Sequence, residues 1–459
     1  MQRFPCLLGV IICCVVIIWV NPNIAAADGE TTEDQIFSGS DTIVGQEQLV
    51  KDNVDDELKE NHVGFSGQIS ANMVSYSFDP AYDTTGYIQD SSILYNLMSA
   101  DLFMDARLKQ GVKGFLSVGI DYYPALNSET ATFLGLDSDS DLSSFETTSD
   151  YTDITIKELF VDTNLQNQVY FRLGKQVLQW GQGYLWNPSD LLNVEKKSFT
   201  NMDNVRQGTY GIKTQIPFGV KQNVYFFTDM NDATDASGVA QAAKYEFLIG
   251  DTEMSLSVLA KEGNKPIFGW DFTSRVGDVD LRGEMSLTNG SDCSRIDDDD
   301  ITKTVDFGDQ MISRVCLGFT KGFDQGNIKD RINLTGEFYY NQAGYDRNII
   351  RRIAESGDAG ALQSMASQYL VDPYSLSQYY MALFSSVSKF IVPELTFNLN
   401  GITNLVDHSA TLITGITYAP ELNNITIDLN VGYNLGDKYT ETMLLGERSY
   451  INLKMTIKF

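Results

Sequence analysis

From Phe65 to Phe459 the chain reads as runs of alternating residues broken by Gly, Asn, Asp and Pro. An extended backbone sends successive side chains to opposite faces, so each run predicts a strand with two unlike faces. In one run Leu94, Met98, Ala100, Leu102, Met104, Ala106 and Leu108 share a face, while Tyr95, Ser99, Asp101, Asp105 and Arg107 share the other. A second sets Ile332, Leu334, Gly336, Phe338 and Tyr340 against Arg331, Asn333, Thr335, Glu337 and Tyr339. A third sets Ile425, Ile427, Leu429, Val431 and Tyr433 against Thr426, Asp428 and Asn430. One face is apolar and the other carries polar and charged groups.

The runs place strands near 64–77, 92–108, 112–123, 153–165, 168–176, 207–217, 221–229, 239–249, 252–261, 266–276, 279–288, 311–322, 329–342, 379–388, 393–402, 409–419, 424–435 and 449–459, eighteen in all. A soluble sandwich also alternates, so the connections have to decide. Short turns fall at Gln110 and Gly111, Gln166 and Asn167, Gly250 and Asp251, Gly277 and Asp278, and at four similar places. Long segments, notably 124–152, 177–206, 289–310, 343–378 and 436–448, are interleaved between them. Short turns on one rim, long loops on the other and an even strand number predict an all-β fold: a transmembrane antiparallel up-and-down barrel of 16 to 18 strands. The turns are then periplasmic and the loops extracellular.

Both ends of the chain fit this architecture. Arg3, the apolar run from Cys6 to Val20 and then Ala25, Ala26 and Ala27 read as a secretory signal over 1–27, since the run is shorter than the roughly 20 residues a spanning helix needs. Residues 28–63 hold many acids and few aromatics, which suggests an acidic periplasmic extension before a barrel over 64–459. At the other end Ile451, Leu453, Met455 and Ile457 alternate with Asn452, Lys454, Thr456 and Lys458 before Phe459. This ending resembles the closing strand of outer-membrane proteins. The resemblance implies that Phe459, Ile457 and Met455 are read by the barrel-assembly machinery, in a Gram-negative outer membrane of lipid and lipopolysaccharide.

Composition narrows the chemistry. Lys plus Arg number 33 and Asp plus Glu 61, a formal charge of −28, which repels nucleic acid rather than binding it. Only two histidines occur, His62 and His408, and there is no G-x-S-x-G elbow, Walker loop, H-E-x-x-H or C-x-x-C-H. An enzyme is therefore not expected, and neither is a cofactor or metal. Asp137, Asp139 and Asp141 have calcium-loop spacing, but Leu142 and Thr148 stand where Gly and Glu belong, which rejects an EF-hand. With the signal gone, Cys293 and Cys316 remain, as a loop-pinning disulfide or as two thiols.

The inward faces supply the pore-lining candidates Asp101, Asp105, Arg107, Asp121, Arg172, Asp280, Arg282, Glu284, Arg331, Glu337, Asp428 and Lys454. Both signs occur, so a mixed field is expected in the lumen, while acids in the loops raise cation concentration at the mouth. The segment from Arg172 to Asn193 carries the pattern R-x-G-K-Q-x-x-x-W-G and resembles strands of bacterial porin-like families, including alginate-export-type porins. The resemblance implies an outer-membrane channel and transfers no substrate. Lys175 could offer a cation near the lumen, and Trp180, Tyr184 and Trp186 could stack on solutes, or the rings could belong to the aromatic girdle. Ile349, Ile350, Ile353, Leu362, Met365, Ala366 and Tyr369 recur at helical spacing, so 343–378 either folds into the pore or caps it, with Arg347, Arg351 and Arg352 adding positive charge. The leading expectation is passive diffusion of small hydrophilic solutes with mild cation preference. The alternative is a barrel that sheathes a partner such as an electron-conduit cytochrome, or an adhesion surface. A homo-oligomer is open.

Overall fold

The computed structural model describes residues 62–83, 91–108, 112–134, 149–178, 180–190, 206–231, 233–290, 307–371, 373–420 and 424–459, with residues 192, 199, 295–297, 300 and 303–305 between them. The signal and acidic extension expected over 1–63, all but its last two residues, lie outside the described residues, as do Asp137, Asp139 and Asp141.

The strands follow in chain order as β1 His62–Phe78, β2 Ser92–Arg107, β3 Lys113–Leu126, β4 Ser149–Leu165, β5 Val169–Gln176, β6 Thr209–Pro217 and β7 Gln222–Asp229. Next come β8 Ala240–Ile249, β9 Thr252–Lys261, β10 Ile267–Val276, β11 Val279–Asn289, the short pair β12 Arg295–Ile296 and β13 Thr304–Val305, and β14 Met311–Gln325. The rest are β15 Ile328–Asn341, β16 Tyr379–Val387, β17 Leu395–Asn404, β18 Ala410–Tyr418, β19 Ile425–Leu435 and β20 Glu447–Lys458. Apart from the β12–β13 ladder, which lies inside a loop, all belong to one 18-stranded antiparallel sheet. β1 pairs with β2 on one side and with β20 on the other, from Gln68 opposite Lys458 to Ser77 opposite Ser449, so the sheet closes. The eighteen expected strands are all present.

Closure leaves no sheet edge, and each strand keeps the two faces its alternation demands. In β19 Leu429, Val431 and Tyr433 are exposed on the outside, while Asp428, Asn430 and Asn434 are buried within. Phe459 stays in the ladder by exchanging backbone hydrogen bonds with Gly67, and Met455 and Ile457 point outward beside it. The turn between β4 and β5 places both Gln166 and Asn167 in the left-handed region, at φ 54° and 53°. That is the two-residue geometry whose twist matches the flanking strands, and asparagine tolerates it well.

One rim carries the short turns; the other carries the long segments, although 262–266 and 405–409 on that rim are themselves short. The main apolar core lies inside the barrel, toward the loop rim. There Tyr76, Phe78, Tyr95 and Tyr450 on inward faces pack with Phe133 from the short helix α1 Ser128–Phe133, and Tyr339, Tyr380 and Phe384 pack with Trp186, Phe199 and Tyr374 from loops. Loops have thus been drawn into the loop half of the barrel.

Candidate functional site

The segment after β5 turns inward across the barrel, and two wall carboxylates hold it by its backbone. Glu337 of β15 accepts from the backbone N–H groups of Tyr184, Leu185 (2.8 Å) and Trp186 (3.3 Å), and from Arg282 Nε of β11 at 3.1 Å. Glu284 of β11 accepts from the Gly183 N–H, from the Ser189 N–H at 3.2 Å and from Ser189 Oγ at 2.9 Å. Burying a carboxylate costs several kcal/mol, and hydrogen bonds to charged groups return about 1.5–3 kcal/mol each. Each carboxylate has at least three donors to set against that cost. Glycine is required where the chain passes the wall: a Cβ on Gly181 would lie 2.6 Å from a Glu284 oxygen, and one on Gly183 would strike the Trp186 carbonyl.

Further contacts fix the same segment at its start. The Val177 N–H donates to Glu158 at 2.9 Å, and Lys244 Nζ donates to the Trp180 carbonyl at 2.9 Å while pairing with Glu246. The rings finish the anchoring. Trp180 is buried with Leu178, Leu192, Tyr225 and Phe227. Trp186 stacks on Tyr339 with centroids 5.2 Å apart and donates its indole N–H to the Tyr374 carbonyl. Tyr184 packs edge-on to Phe384 beneath the Arg282 guanidinium.

These positions correct three expectations. Trp180 and Trp186 belong neither to an outer girdle nor to an open stacking surface; they are 2% and 8% exposed and serve as anchors inside the barrel. Lys175 shares its face with Leu159 and Tyr210, its register partners, both exposed on the outside, so it faces away from the lumen. Its long stem can lie along the apolar wall with the ammonium toward the rim.

The twelve pore-lining candidates sit on inward faces, and most are already engaged. Asp101 pairs with Lys157 at 2.7 Å, Arg172 with Asp162 at 2.7 Å, Asp280 with Arg275 at 3.0 Å, and Asp105 with Lys113 at 3.0 Å and, more loosely, Arg107. Asp428 accepts from Thr417 Oγ1 at 2.7 Å and stands in register with Lys454. Asp121 is half-buried in β3, in register with Ser99 and Asp153. Arg331 lies at the turn rim, where its guanidinium donates to the carbonyls of Ser388, Lys389 and Phe390. Glu284 and Glu337 are 1% and 3% exposed, so they hold the loop rather than line the water path. Cys316 is buried on the inner face of β14, and Cys293 lies outside the described residues.

At the loop rim the 343–378 insertion does both things open to it. Helices α2 Ile349–Ser356 and α3 Ala359–Val371 bury Ile349, Ile350, Ile353, Leu362 and Met365 against Tyr345, Leu376 and Leu444, all loop residues, and so form a cap. The returning strand of chain then dips, sending Tyr374 Oη to Thr411 Oγ1 of β18 at 3.0 Å. Arg347 and Arg351 meet Asp346 and Asp437, so two of the three positive charges expected in this segment are balanced. Beneath the cap Glu441 accepts from Tyr380 Oη at 2.9 Å and Asn404 Nδ2 at 2.6 Å, and its own N–H donates to Asp407. Burial, with Asp407 adding repulsion, pushes the Glu441 carboxyl up to about 8, and burial raises Asp407 as well. Nothing in the sequence pattern singles out Glu441 or Lys244; the first sits in a loop without period, and the second is one inward position among many.

Solved structures with the same architecture exist. A BenF-like porin from Pseudomonas fluorescens Pf-5 superposes with a TM-score of 0.53 at 10% identity, covering 86% of this chain and 98% of its own. The fold is a porin fold. OccAB4 of Acinetobacter baumannii gives a TM-score of 0.53 at 9% identity over 88% and 99% of the two chains. OccK2 (OpdF) of Pseudomonas aeruginosa, solved with glucuronate, gives 0.51 at 9% identity over 86% and 98%. No family model matches the sequence, and no curated protein matches it. The porin fold supplies the frame; the carboxylate-held loop is read from this chain's own residues.

Proposed function

We propose that the chain is an outer-membrane channel through which small hydrophilic solutes diffuse passively, with a mild preference for cations. The observation that carries this is a closed eighteen-stranded barrel, apolar outside and polar within, whose interior is narrowed by an inward loop fixed on Glu284 and Glu337. A barrel of this strand number is wide enough to enclose water, and the loop then sets which solutes pass. Likeness to porins in fold, and of the Arg172–Gly181 pattern to porin-like families, supports the reading.

Selectivity follows from where charge is left exposed. Most of the wall charges named above are paired within the wall; at the loop rim Glu355 and Asp358 are exposed, and so are Asp309, Asp346 and Asp437, although these three are ion-paired with Lys265, Arg347 and Arg351. A rim with an excess of one sign concentrates the opposite ion at the entrance. The loop rim faces outside the cell in this reading, Phe459 with its alternating neighbours is the assembly signal, and the N-terminal signal directs export. A barrel whose loop half is packed with its own side chains is poorly suited to sheathing a partner protein.

Planar-bilayer recording in a salt gradient tests the proposal. Stepwise current with a reversal potential displaced toward that of the cation is expected. A purified, folded barrel that passes no current would overturn it, and a reversal potential displaced toward the anion would remove the cation preference alone.

A further inference from the structure

The loop between β19 and β20 tucks its tip inside the rim. The turn Glu441–Met443 is buried throughout, and so is Leu444 after it. This tip touches two bodies. On the cap side Leu444 packs with Tyr345, Ile349, Ile353 and Leu376, and Asp437 pairs with Arg351 of α2 at 3.4 Å. On the wall side the Glu441 carboxyl accepts from Tyr380 Oη of β16 and Asn404 Nδ2 of β17, and from the Leu376 N–H of the returning chain. The Glu441 side chain thus fastens the wall to a loop that also holds the cap.

This fastening carboxyl has a second acid for a neighbour. The Glu441 N–H donates to Asp407 Oδ2 at 2.7 Å, and Asp407 also accepts from the Ser409 N–H and Oγ at 2.9 and 2.7 Å. The groups packed round the pair are neutral or acidic. β16 and β17 present Tyr380 and Asn404, the returning chain presents Tyr374 and Ser377, α3 presents Tyr369, and β20 begins with Glu447. The basic groups nearby are engaged or outside: Arg351 meets Asp437, Arg448 meets Asp79 and Tyr82, Lys438 lies over the Tyr439 ring, and His408 beside Asp407 is exposed. Repulsion between two buried carboxylates is little screened, and neither reaches water unless the loop moves.

We propose that Glu441 and Asp407 form a pH-sensitive latch on the outer mouth of the channel proposed above, a reading on which the latch rests. While the pair carries one negative charge, the 436–446 loop stays docked and the cap stays shut; when both acids ionise, the loop withdraws and draws that side of the cap with it. The direction follows from which form is neutral. Burial and the Asp407 charge keep Glu441 protonated up to about pH 8, so the mouth is closed below that pH and opens above it. The cap keeps its tie from Tyr374 Oη to Thr411 Oγ1, so it tilts rather than detaches.

The test is planar-bilayer recording of the full purified chain from about pH 6.5 to about pH 9.5, beside trypsin cleavage after Lys438, normalised to an unstructured peptide with the same Lys–Tyr bond. Mean current is expected to rise about twofold or more across that range, and cleavage after Lys438 to quicken with it. Both responses should flatten in Glu441→Gln, which keeps the side chain's size and loses its charge. Asp407→Asn removes the repulsion from the other side, should flatten them too, and covers the case in which the glutamine variant does not fold. A response of unchanged size in either folded variant, or a current that falls toward alkaline pH, overturns the latch. Current and cleavage that ignore pH remove the latch and leave the channel; pH-dependent cleavage with no current at any pH removes the channel and leaves the docked loop as a pH switch.

Discussion

Glu337 and Glu284 illustrate how a single side chain can fix a loop that local sequence leaves free. Each is an inward strand residue by alternation, yet each finds backbone donors more than ninety residues away in the chain. Removing the acceptor strands those N–H groups in a buried place and leaves Arg282 without its carboxylate partner. Glu337→Ala is expected to loosen the segment by about 3–5 kcal/mol, the usual cost of breaking a buried pair. Limited proteolysis should then cut between residues 180 and 190, and single-channel conductance should rise. Glu441 offers a second prediction, in pH. Its folded value of about 8 exceeds the ordinary 4.5, so the fold favours the protonated acid. That contribution is whole below about pH 4.5, falls as pH rises, and is gone above about pH 8. Hydrogen exchange of residues 436–446 should therefore quicken across that window, and Glu441→Gln, neutral at every pH, should flatten the dependence.

Among elements, the strands were legible because a barrel wall has two solvents, and lipid outside with water inside impose period two on every crossing. The β19 and β15 patterns predicted residue by residue which side chains would be outside. An arginine at Leu429 or Leu453, exposed on the outer face near mid-strand, should cost about 2–4 kcal/mol if the band lies in hydrocarbon. Barrel yield in the membrane fraction, compared with the same substitution at inward Thr456, measures it; equal yields would contradict the outward assignment. Loops were less legible. Gly174, Gly181 and Gly183 with two tryptophans flagged the segment after β5, but its inward course depends on acceptors supplied by β11 and β15, and no local pattern encodes a pairing across 150 residues. Lys175 was misassigned against the pattern: it stands three residues from inward Arg172, so period two already puts it on the outer face, and the register with Leu159 and Tyr210 agrees. The helical spacing in 349–369 was read correctly as helix, while its choice between cap and plug depended on apolar partners in two other loops.

At the scale of the molecule, charge and apolar content make sense only once each is placed. A formal charge of −28 in a chain that is 43% hydrophobic suits a barrel with apolar residues outside, paired charges on the inner wall, and exposed acids at the rim. The interior is divided: toward the loops it is an aromatic core stapled by carboxylates, and toward the turns it is polar and lined by ion pairs such as Asp101 with Lys157. A narrowed aqueous path for small solutes follows from that division. Single-channel recording of the purified chain in a potassium chloride gradient tests it most directly. Discrete conductance steps with a reversal potential on the potassium side, and larger steps in Glu337→Ala, are the expected result; a folded barrel with no steps, or with steps unchanged by Glu337→Ala, would contradict the account.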